Sequence, residues 1–174
     1  MTAIPVIETG NIRLRAPRME DLSAYEAFCA SDRSADVGGP FTTSQAFVKL
    51  AAVSGHWTLR GYGRFLVADR ETDEALGIVG PYFPTNWPAP EIAWTVFGNA
   101  EGRSIAFEAA KASRAWAYET LGWSTTVSCI HADNIRSQRL AKRLGAVKED
   151  TPFVQREFGA LDIWRHPGPS EIAP

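Results

Sequence analysis

The stretch EIAWTVF, GNAEGRS, IAFEAAKASRAWAY, residues 91–118, decides the fold. Residues 91–97 are apolar and β-branched enough to form a strand, and residues 105–118 form an alanine-rich helix. Between them, Gly98, Gly102 and Ser104 keep side chains small where the strand leads into the helix. The first N–H groups of such a helix are unpaired and lie at the positive end of its dipole. The stretch therefore predicts a binding site for phosphate oxygens.

A second polar turn occurs further along the chain. HADNIRS (131–137) follows the predicted strand TTVSCI (125–130) and opens another helix. Two polar helix starts after two strands indicate one phosphorylated ligand that lies across the sheet. A dinucleotide-binding domain is disfavoured because residues 98–102 lack G-x-G-x-x-G, and a nucleoside triphosphate site because the sequence has no G-K-[ST].

Composition narrows the class of protein. The 174 residues, 45% apolar and 22% charged, predict one soluble domain over residues 1–174. A net charge of −2 argues against nucleic acid as a partner. The sequence has no apolar run of membrane-spanning length, and MTAIPVIETG is not a signal peptide. Cys29 and Cys129 are interpreted as free core thiols, and the histidines lack metal-ligand spacing. We therefore expect a cytoplasmic protein with no membrane partner and no metal.

The rest of the chain alternates between strands and helices. Strands are predicted at 11–16, 64–70 and 74–83, with the last two forming a hairpin. Helices are predicted at 19–31 and 42–57, separated by a glycine-rich loop at 32–40. Residues 84–90 form a stiff loop with three prolines, and 152–166 form a closing hairpin that turns near Gly159. The tail, 168–174, is predicted to be disordered.

The order of these elements and the residues at the two turns resemble the GNAT superfamily of acyl-CoA-dependent N-acetyltransferases. Within it, the chain is similar to the ribosomal-protein N-terminal acetyltransferases. NIRLRAPRMEDLSAY (11–25) resembles the first strand and helix of that subfamily, and EIAWTVF its fourth strand. GNAEGRSIAFEAA (98–110) resembles its pyrophosphate loop, NIRSQRLAKRLGA (134–146) its Asn-x-x-Ser helix, and DIWRHP (162–167) its last strand.

This resemblance implies an α+β (mixed α/β) fold, in which a splayed, mixed β-sheet of six to seven strands carries helices on both faces. It implies acetyl-CoA as co-substrate in the split beside the fourth strand, with the pyrophosphate over the loop and Ser137 near the thioester sulfur. The implied contacts are Trp94, Thr95, Val96, Phe97, Glu101, Gly102, Arg103, Ser104, Asn134 and Ser137. Dimers are common in the subfamily, so a homodimer is a further expectation of the resemblance.

Two features depart from the family pattern. The loop usually reads Gln/Arg-x-x-Gly-x-Gly/Ala, whereas this chain has Asn99 first and Ser104 last. The carboxylate of Glu101 must also turn away from a pyrophosphate, so we expect cofactor binding to survive in weakened form. Many relatives carry a tyrosine that protonates the leaving thiolate, and the matching residue is Ala141. The acid role then falls to Ser137, to water, or to no group.

The attacking amine must be neutral, so the reaction is helped by a general base. A lysine-like amine has a pKa of about 10.4 and must lose a proton before it attacks, while an α-amine with a pKa of about 7.7–8.0 needs less help. Glu91, at the start of the fourth strand, is the candidate base and could act through a water. The alternative is a solvent-facing residue at the strand end. Trp87, in the proline-rich loop, is predicted either to line an acceptor pocket or to cover the core.

The leading interpretation is an N-acetyltransferase that moves an acetyl group from acetyl-CoA to an amine by direct transfer in a ternary complex. The acceptor is either a protein N-terminus or a small amine. A cysteine nucleophile is disfavoured, because Cys129 lies in an apolar strand where a thiolate is costly. The alternative is a non-catalytic acyl-CoA-binding or regulatory module on the same fold, suggested by Ala141 and the altered loop.

Overall fold

Residues 3–172, which the structure, a computed structural model, describes, form nine strands and four α-helices. The strands are β1 (Ile7–Glu8), β2 (Ile12–Arg15), β3 (Phe65–Asp69), β4 (Ala75–Tyr82), β5 (Glu91–Val96), β6 (Val127–Ile130), β7 (Val147–Lys148), β8 (Phe153–Gln155) and β9 (Gly159–Arg165). The helices are α1 (Leu22–Cys29), α2 (Thr43–Arg60), α3 (Ile105–Leu121) and α4 (Ile135–Arg143).

The strands form one mixed sheet in the order β1-β2-β3-β4-β5-β6-β9-β7, with β8 paired to β9. All paired neighbours run antiparallel except β5 and β6, which are parallel. The predicted mixed α/β class is confirmed. The strand total exceeds the expected six to seven because β1 and β7 have only two residues each, too few for an alternating pattern to be recognised.

Side-chain alternation along the strands gives the sheet two apolar faces. On β3, Phe65 and Val67 pack in a cluster with α3, while Leu66 and Ala68 pack in a second cluster with α1 and α2. A third, smaller cluster joins Ala141 of α4 to β6 and β9. Successive residues of a strand point to opposite faces, so helices cover both sides of the sheet, as predicted.

Local signals explain most element boundaries. The side chain of Thr42 accepts a hydrogen bond from the N–H of Gln45 at the start of α2, and Gly61 ends that helix in the left-handed conformation. The predicted helix at 19–31 is shorter than expected, because its first turn is a 3₁₀ turn and α1 spans only Leu22–Cys29. The expected loop at 32–40 contains a 3₁₀ segment, Asp32–Val37.

The structure describes the C-terminal tail as far as Ile172. Pro169–Glu171 form a single 3₁₀ turn, and Ala173 and Pro174 of the tail lie outside the described residues. The predicted disorder of 168–174 and the single domain over 1–174 stay predictions. Among residues 3–172, no helix is both long and apolar enough to cross a bilayer.

Candidate active site

The parallel strands β5 and β6 separate soon after they begin. Glu91 and Val127 are the one register pair between them within residues 3–172. Hydrogen bonding alternates along a strand, and the N–H of Phe97 donates to β4. The backbone groups of Trp94 and Val96 therefore face the split. The carbonyl of Val96 accepts a hydrogen bond of 3.2 Å from the Nη2 of Arg33.

A cavity of about 420 Å³ lies along this split. Its floor contains Trp94, Thr95 and Val96 of β5, and one end is formed by the turn between β5 and α3. Two residues of that turn, Gly102 (φ +73°) and Ser104 (φ +60°), adopt left-handed backbone conformations. Ser104 is the residue directly before α3, so the N–H groups of the first helical turn open onto the cavity. The predicted phosphate loop thus lines a cavity wide enough for a ligand.

Not every residue predicted to contact the cofactor faces this cavity. Glu101, Gly102 and Ser104 line it, whereas the Arg103 guanidinium turns away and pairs with Asp69 at 3.1 Å. The ring of Phe97 is buried on the opposite face, against Tyr25 and Phe28. Arg103 could therefore contribute only its backbone to cofactor binding. The N–H of Phe97 already donates to Leu76 of β4, so neither the ring nor the N–H of Phe97 faces the split.

Glu101 lies between two arginines. Its carboxylate forms ion pairs with Arg33, from the 3₁₀ segment after α1, and with Arg136, from the first turn of α4. The hydrogen bond from Arg33 is the main reason why the pKa of this carboxyl lies below its usual range. The three charged groups thus join three separate elements at the wall of the cavity.

The start of α4 forms the opposite wall. The side-chain oxygen of Asn134 accepts a hydrogen bond from the N–H of Ser137 (3.0 Å), and its amide nitrogen donates to Asp36 (2.8 Å). The hydroxyl of Ser137 accepts from the indole of Trp94 (3.1 Å) and keeps its own proton available for donation. Ala141 is fully buried and brings no hydroxyl to this wall.

Glu91 is buried rather than solvent-facing, with 5% of its surface exposed. One carboxylate oxygen accepts from the indole N–H of Trp87 at 2.6 Å and the other from the backbone N–H of Cys129 at 2.9 Å. Burial raises the pKa of Glu91 to about 7, and the two hydrogen bonds oppose that rise. A carboxylate with a pKa near neutrality can take a proton and release it again, as a general base requires.

A second, smaller cavity of about 140 Å³ contains Glu91. Aromatic and aliphatic side chains form much of its lining, including Tyr82, Trp87 and Phe158. Phe158 approaches from the turn between β8 and β9, and its ring centroid lies 6.1 Å from that of Trp87. The residues shared by the two cavities are Asp36, Val37, Trp94, Thr95, Asn134 and Ser137. The predicted site residues other than Phe97 and Arg103 thus surround two adjoining cavities.

Comparison with known proteins identifies the family. A family model described as acetyltransferase (GNAT) domain matches residues 11–147. The chain belongs to the GNAT acetyltransferase family. A solved acetyltransferase from Agrobacterium tumefaciens strain C58 is 32% identical in sequence and has a TM-score of 0.84, over 95% of this chain and 96% of that one. The resemblance inferred from the sequence motifs is confirmed, and the protein is an N-acetyltransferase.

Ribosomal-protein acetyltransferases are also structural neighbours of this acetyltransferase. A ribosomal-protein-S5-alanine acetyltransferase from Vibrio fischeri is 15% identical, with a TM-score of 0.72, over 97% of this chain and 100% of that one. A ribosomal L7/L12 α-N-protein acetyltransferase, solved in complex with coenzyme A, is 16% identical, with a TM-score of 0.71, over 93% and 96% of the two chains. At such identities the similarity establishes the shared fold.

The acetyltransferase also contains a buried polar network behind the split. The Nη1 of Arg114 lies 3.0 Å from the Nδ1 of His166, and arginine only donates, so His166 carries its proton on Nε2. Nε2 donates to the hydroxyl of Ser128 at 2.9 Å, which donates to the Ile92 carbonyl at 2.7 Å. Burial, followed by the charge of Arg114, lowers the pKa of His166 to about 3. The ring is therefore neutral and ties α3 to β5 beside Glu91.

Sequence reasoning missed several residues that line the cavities of the acetyltransferase, among them Arg33, Tyr82 and Phe158. Arg33 lies in a segment expected to be a plain loop, Tyr82 ends β4, and Phe158 lies in the closing turn. The place of Tyr82 near the end of the predicted strand 74–83, two residues before the proline-rich loop, was a usable signal. Arg33 and Phe158 reach the site only through tertiary packing of distant segments.

Proposed function

We propose that the protein acetylates a small primary amine by direct transfer from acetyl-CoA, with Glu91 as the general base. The observation that carries this proposal is the buried carboxylate of Glu91, which combines a pKa of about 7 with a place in the cavity next to the split. At neutral pH about half of such carboxylates are ionised and able to accept a proton. The family membership supports acyl transfer to an amine in general.

The groups along the split suit acetyl-CoA as co-substrate. Four arginines, Arg33, Arg136, Arg139 and Arg143, line the larger cavity against two carboxylates, which favours a polyanionic ligand. The buried Nε–H of Arg33 lacks a hydrogen-bond partner and can donate to a further anionic oxygen. Acetyl-CoA supplies the thioester, and the backbone of β5 between Trp94 and Val96 would hold its pantetheine amides.

Each protein group then has one role. Glu91 takes the proton that the attacking amine loses, directly or through a water. The Val96 N–H, which faces the split, stabilises the oxygen that gains negative charge. The hydroxyl of Ser137 donates to the departing thiolate, a role that Ala141 cannot fill. Cys129 is not a nucleophile, because burial raises the pKa of its thiol far above its usual range.

The acceptor cavity favours a small amine over a protein N-terminus. A cavity of about 150 Å³ holds a benzene-sized group, and the cavity with Glu91 measures about 140 Å³. Among the described residues that line it are two carboxylates, Asp36 and Glu91, and no lysine or arginine. An acceptor carboxylate would find no cation there and would meet like charge. We therefore infer an amine with one ring-sized apolar group and no neighbouring carboxylate.

A matched acceptor series tests this function. Thiol release from acetyl-CoA is followed with phenethylamine, phenylalanine amide, phenylalanine and a phenylalanine-initiated hexapeptide. We expect phenethylamine and the amide to react at least tenfold faster than phenylalanine, measured as kcat/KM. Binding of acetyl-CoA without acceptor-dependent thiol release would instead support the non-catalytic module. Faster reaction of the hexapeptide would assign the site to a protein N-terminus.

A further inference from the structure

Arg33 holds the split from a segment that the family motifs do not include. Its Nη1 pairs with Glu101 in the turn before α3, and its Nη2 donates to the Val96 carbonyl on the open edge of β5. The third nitrogen, Nε, is buried and its N–H has no hydrogen-bond partner. One guanidinium thus contacts two groups along the split, the carboxylate of Glu101 and the carbonyl of Val96, while its Nε–H is unused.

The carboxylate of Glu101 pairs with both Arg33 and Arg136. Arg136 approaches it from α4 and Arg33 from the 3₁₀ segment, so two cations converge on one carboxylate at the wall of the larger cavity. Guanidinium groups bind phosphate and carboxylate oxygens with the same planar geometry. Two converging arginines therefore form a site for an oxyanion, and in the free protein that oxyanion is a side chain of the same chain.

We propose that Arg33 and Arg136 bind the pyrophosphate of CoA, and that Glu101 occupies their site in the free protein as an internal counter-ion. This inference rests on the proposed use of acetyl-CoA. The pyrophosphate carries two negative charges against one for the carboxylate, so it competes for both arginines. On binding, Glu101 moves out of the site, and the unused Nε of Arg33 gains an acceptor.

The exchange also affects the open edge of β5. The Val96 carbonyl accepts from Arg33 in the free protein, so the arginine stands where a pantetheine amide would donate. Withdrawal of the guanidinium towards the pyrophosphate releases that carbonyl. Arg33 therefore acts as a specificity residue that distinguishes a phosphorylated pantetheine from a plain one, because only the former draws it away.

Glu101→Gln is the informative variant, and the chain offers a matched control. Glu8 has the same side-chain exposure as Glu101, 43%, and also pairs with two arginines, Arg13 and Arg70, on a surface that does not line the cavity. Glu8→Gln therefore removes the same charge and the same number of ion pairs elsewhere. Thermal unfolding of both variants checks that the fold is retained.

Calorimetric titrations with CoA and with acetylpantetheine, which lacks the pyrophosphate, test the proposal. In Glu101→Gln the carboxylate no longer competes with the pyrophosphate for the two arginines. We therefore expect the Kd of CoA to fall about three- to tenfold in that variant and to change less than twofold in Glu8→Gln. Acetylpantetheine should bind Glu101→Gln and the wild type equally. In an Arg33→Gln background, Glu101→Gln should increase the affinity for CoA by a smaller factor than it does in the wild type.

Two results would overturn the inference. An unchanged Kd of CoA in Glu101→Gln would mean that the carboxylate does not occupy the pyrophosphate site. An equal gain for CoA and acetylpantetheine would mean that Glu101 acts on something other than phosphate. Failure of the proposed function has a different signature: the wild type and Glu101→Gln would both fail to bind CoA, or would bind it without transferring acetyl to any amine.

Discussion

The hydrogen bond from Trp87 to Glu91 makes a quantitative prediction about the pH dependence of catalysis. Trp87→Phe keeps an aromatic ring in the acceptor cavity and removes the indole N–H, which lies 2.6 Å from the carboxylate. A hydrogen bond to a charged group contributes about 1.5–3 kcal/mol, and 1.36 kcal/mol corresponds to one pKa unit. Its loss should raise the pKa of Glu91 from about 7 by about one to two units.

The assay is kcat for acetyl transfer between pH 5.5 and 10, with saturating acetyl-CoA and phenethylamine. Because Glu91 must be ionised to act as a base, the wild-type rate should rise through a pH of about 7. The Trp87→Phe profile should rise one to two pH units later and reach the wild-type rate at high pH. The titration of the amine is common to both enzymes, so the difference between the profiles reports on Glu91.

Glu91→Gln provides the control, because it should lack this inflection and remain slow at every pH. A Trp87→Phe profile with the wild-type inflection and a uniformly lower rate would contradict the argument, since Trp87 would then only shape the cavity. Retention of the inflection in Glu91→Gln would exclude Glu91 as the base.

Three further predictions concern stability and cofactor binding. Between pH 4.5 and 6.5, acidification should lower the free energy of unfolding through His166, because the pKa of this residue is lowered to about 3 in the folded protein. Acidification should raise the free energy of unfolding through Glu91, because its pKa is raised to about 7. Each effect amounts to about 1.4 kcal/mol per pH unit. In urea titrations Glu91→Gln should therefore lose stability in acid and His166→Asn should gain it; equal slopes would contradict this. Gly102→Asp should abolish CoA binding in calorimetry, because it places a carboxylate against the pyrophosphate. Gly102→Ala, which requires the same left-handed backbone, should retain binding. Binding of CoA by the aspartate variant would place the phosphate loop elsewhere. Gly77→Ala should cost about 1–3 kcal/mol in urea titrations, because its Cβ would lie 2.5 Å from a carbonyl oxygen of β5, whereas Gly55→Ala, with no atom within 4 Å, should not destabilise; equal effects would refute the close approach.

Much of the architecture could be predicted from the sequence, because its signals are local. The strand, glycine turn and helix at 91–118 carry their own periodicity and small residues, and they form β5, the loop and α3 as expected. The continuous apolar runs of β3 and β4, separated by the polar residues 71–73, indicated that hairpin in the same way. The short strands β1 and β7 escaped prediction, since two residues give no period.

The site was predictable only in part, because several of its properties depend on distant packing. Glu91 could be chosen from its place at the start of a strand, but its burial depends on Trp87 and on the backbone of β6. The contacts of Arg33 with Val96 and Glu101 join residues more than sixty positions apart in sequence. No local pattern specifies such a contact, so the ion pairs around Glu101 could not be derived from the loop motif.

Within residues 3–172, Glu91 and Val127 are the one register pair between β5 and β6, so the two halves of the sheet are joined at one end of these strands. Two half-sheets, β1–β5 and β6–β9, meet at Glu91 and diverge from there. The six residues of β5 extend about 20 Å at roughly 3.4 Å per residue, so a rotation of about 5° at the joint displaces the far end by about 1.7 Å. A change in packing at the narrow end of the cleft should therefore change the width of the cleft along its length. Substitution of Val127 itself, which lines neither cavity, should therefore change ligand selectivity by altering the spacing of the two half-sheets.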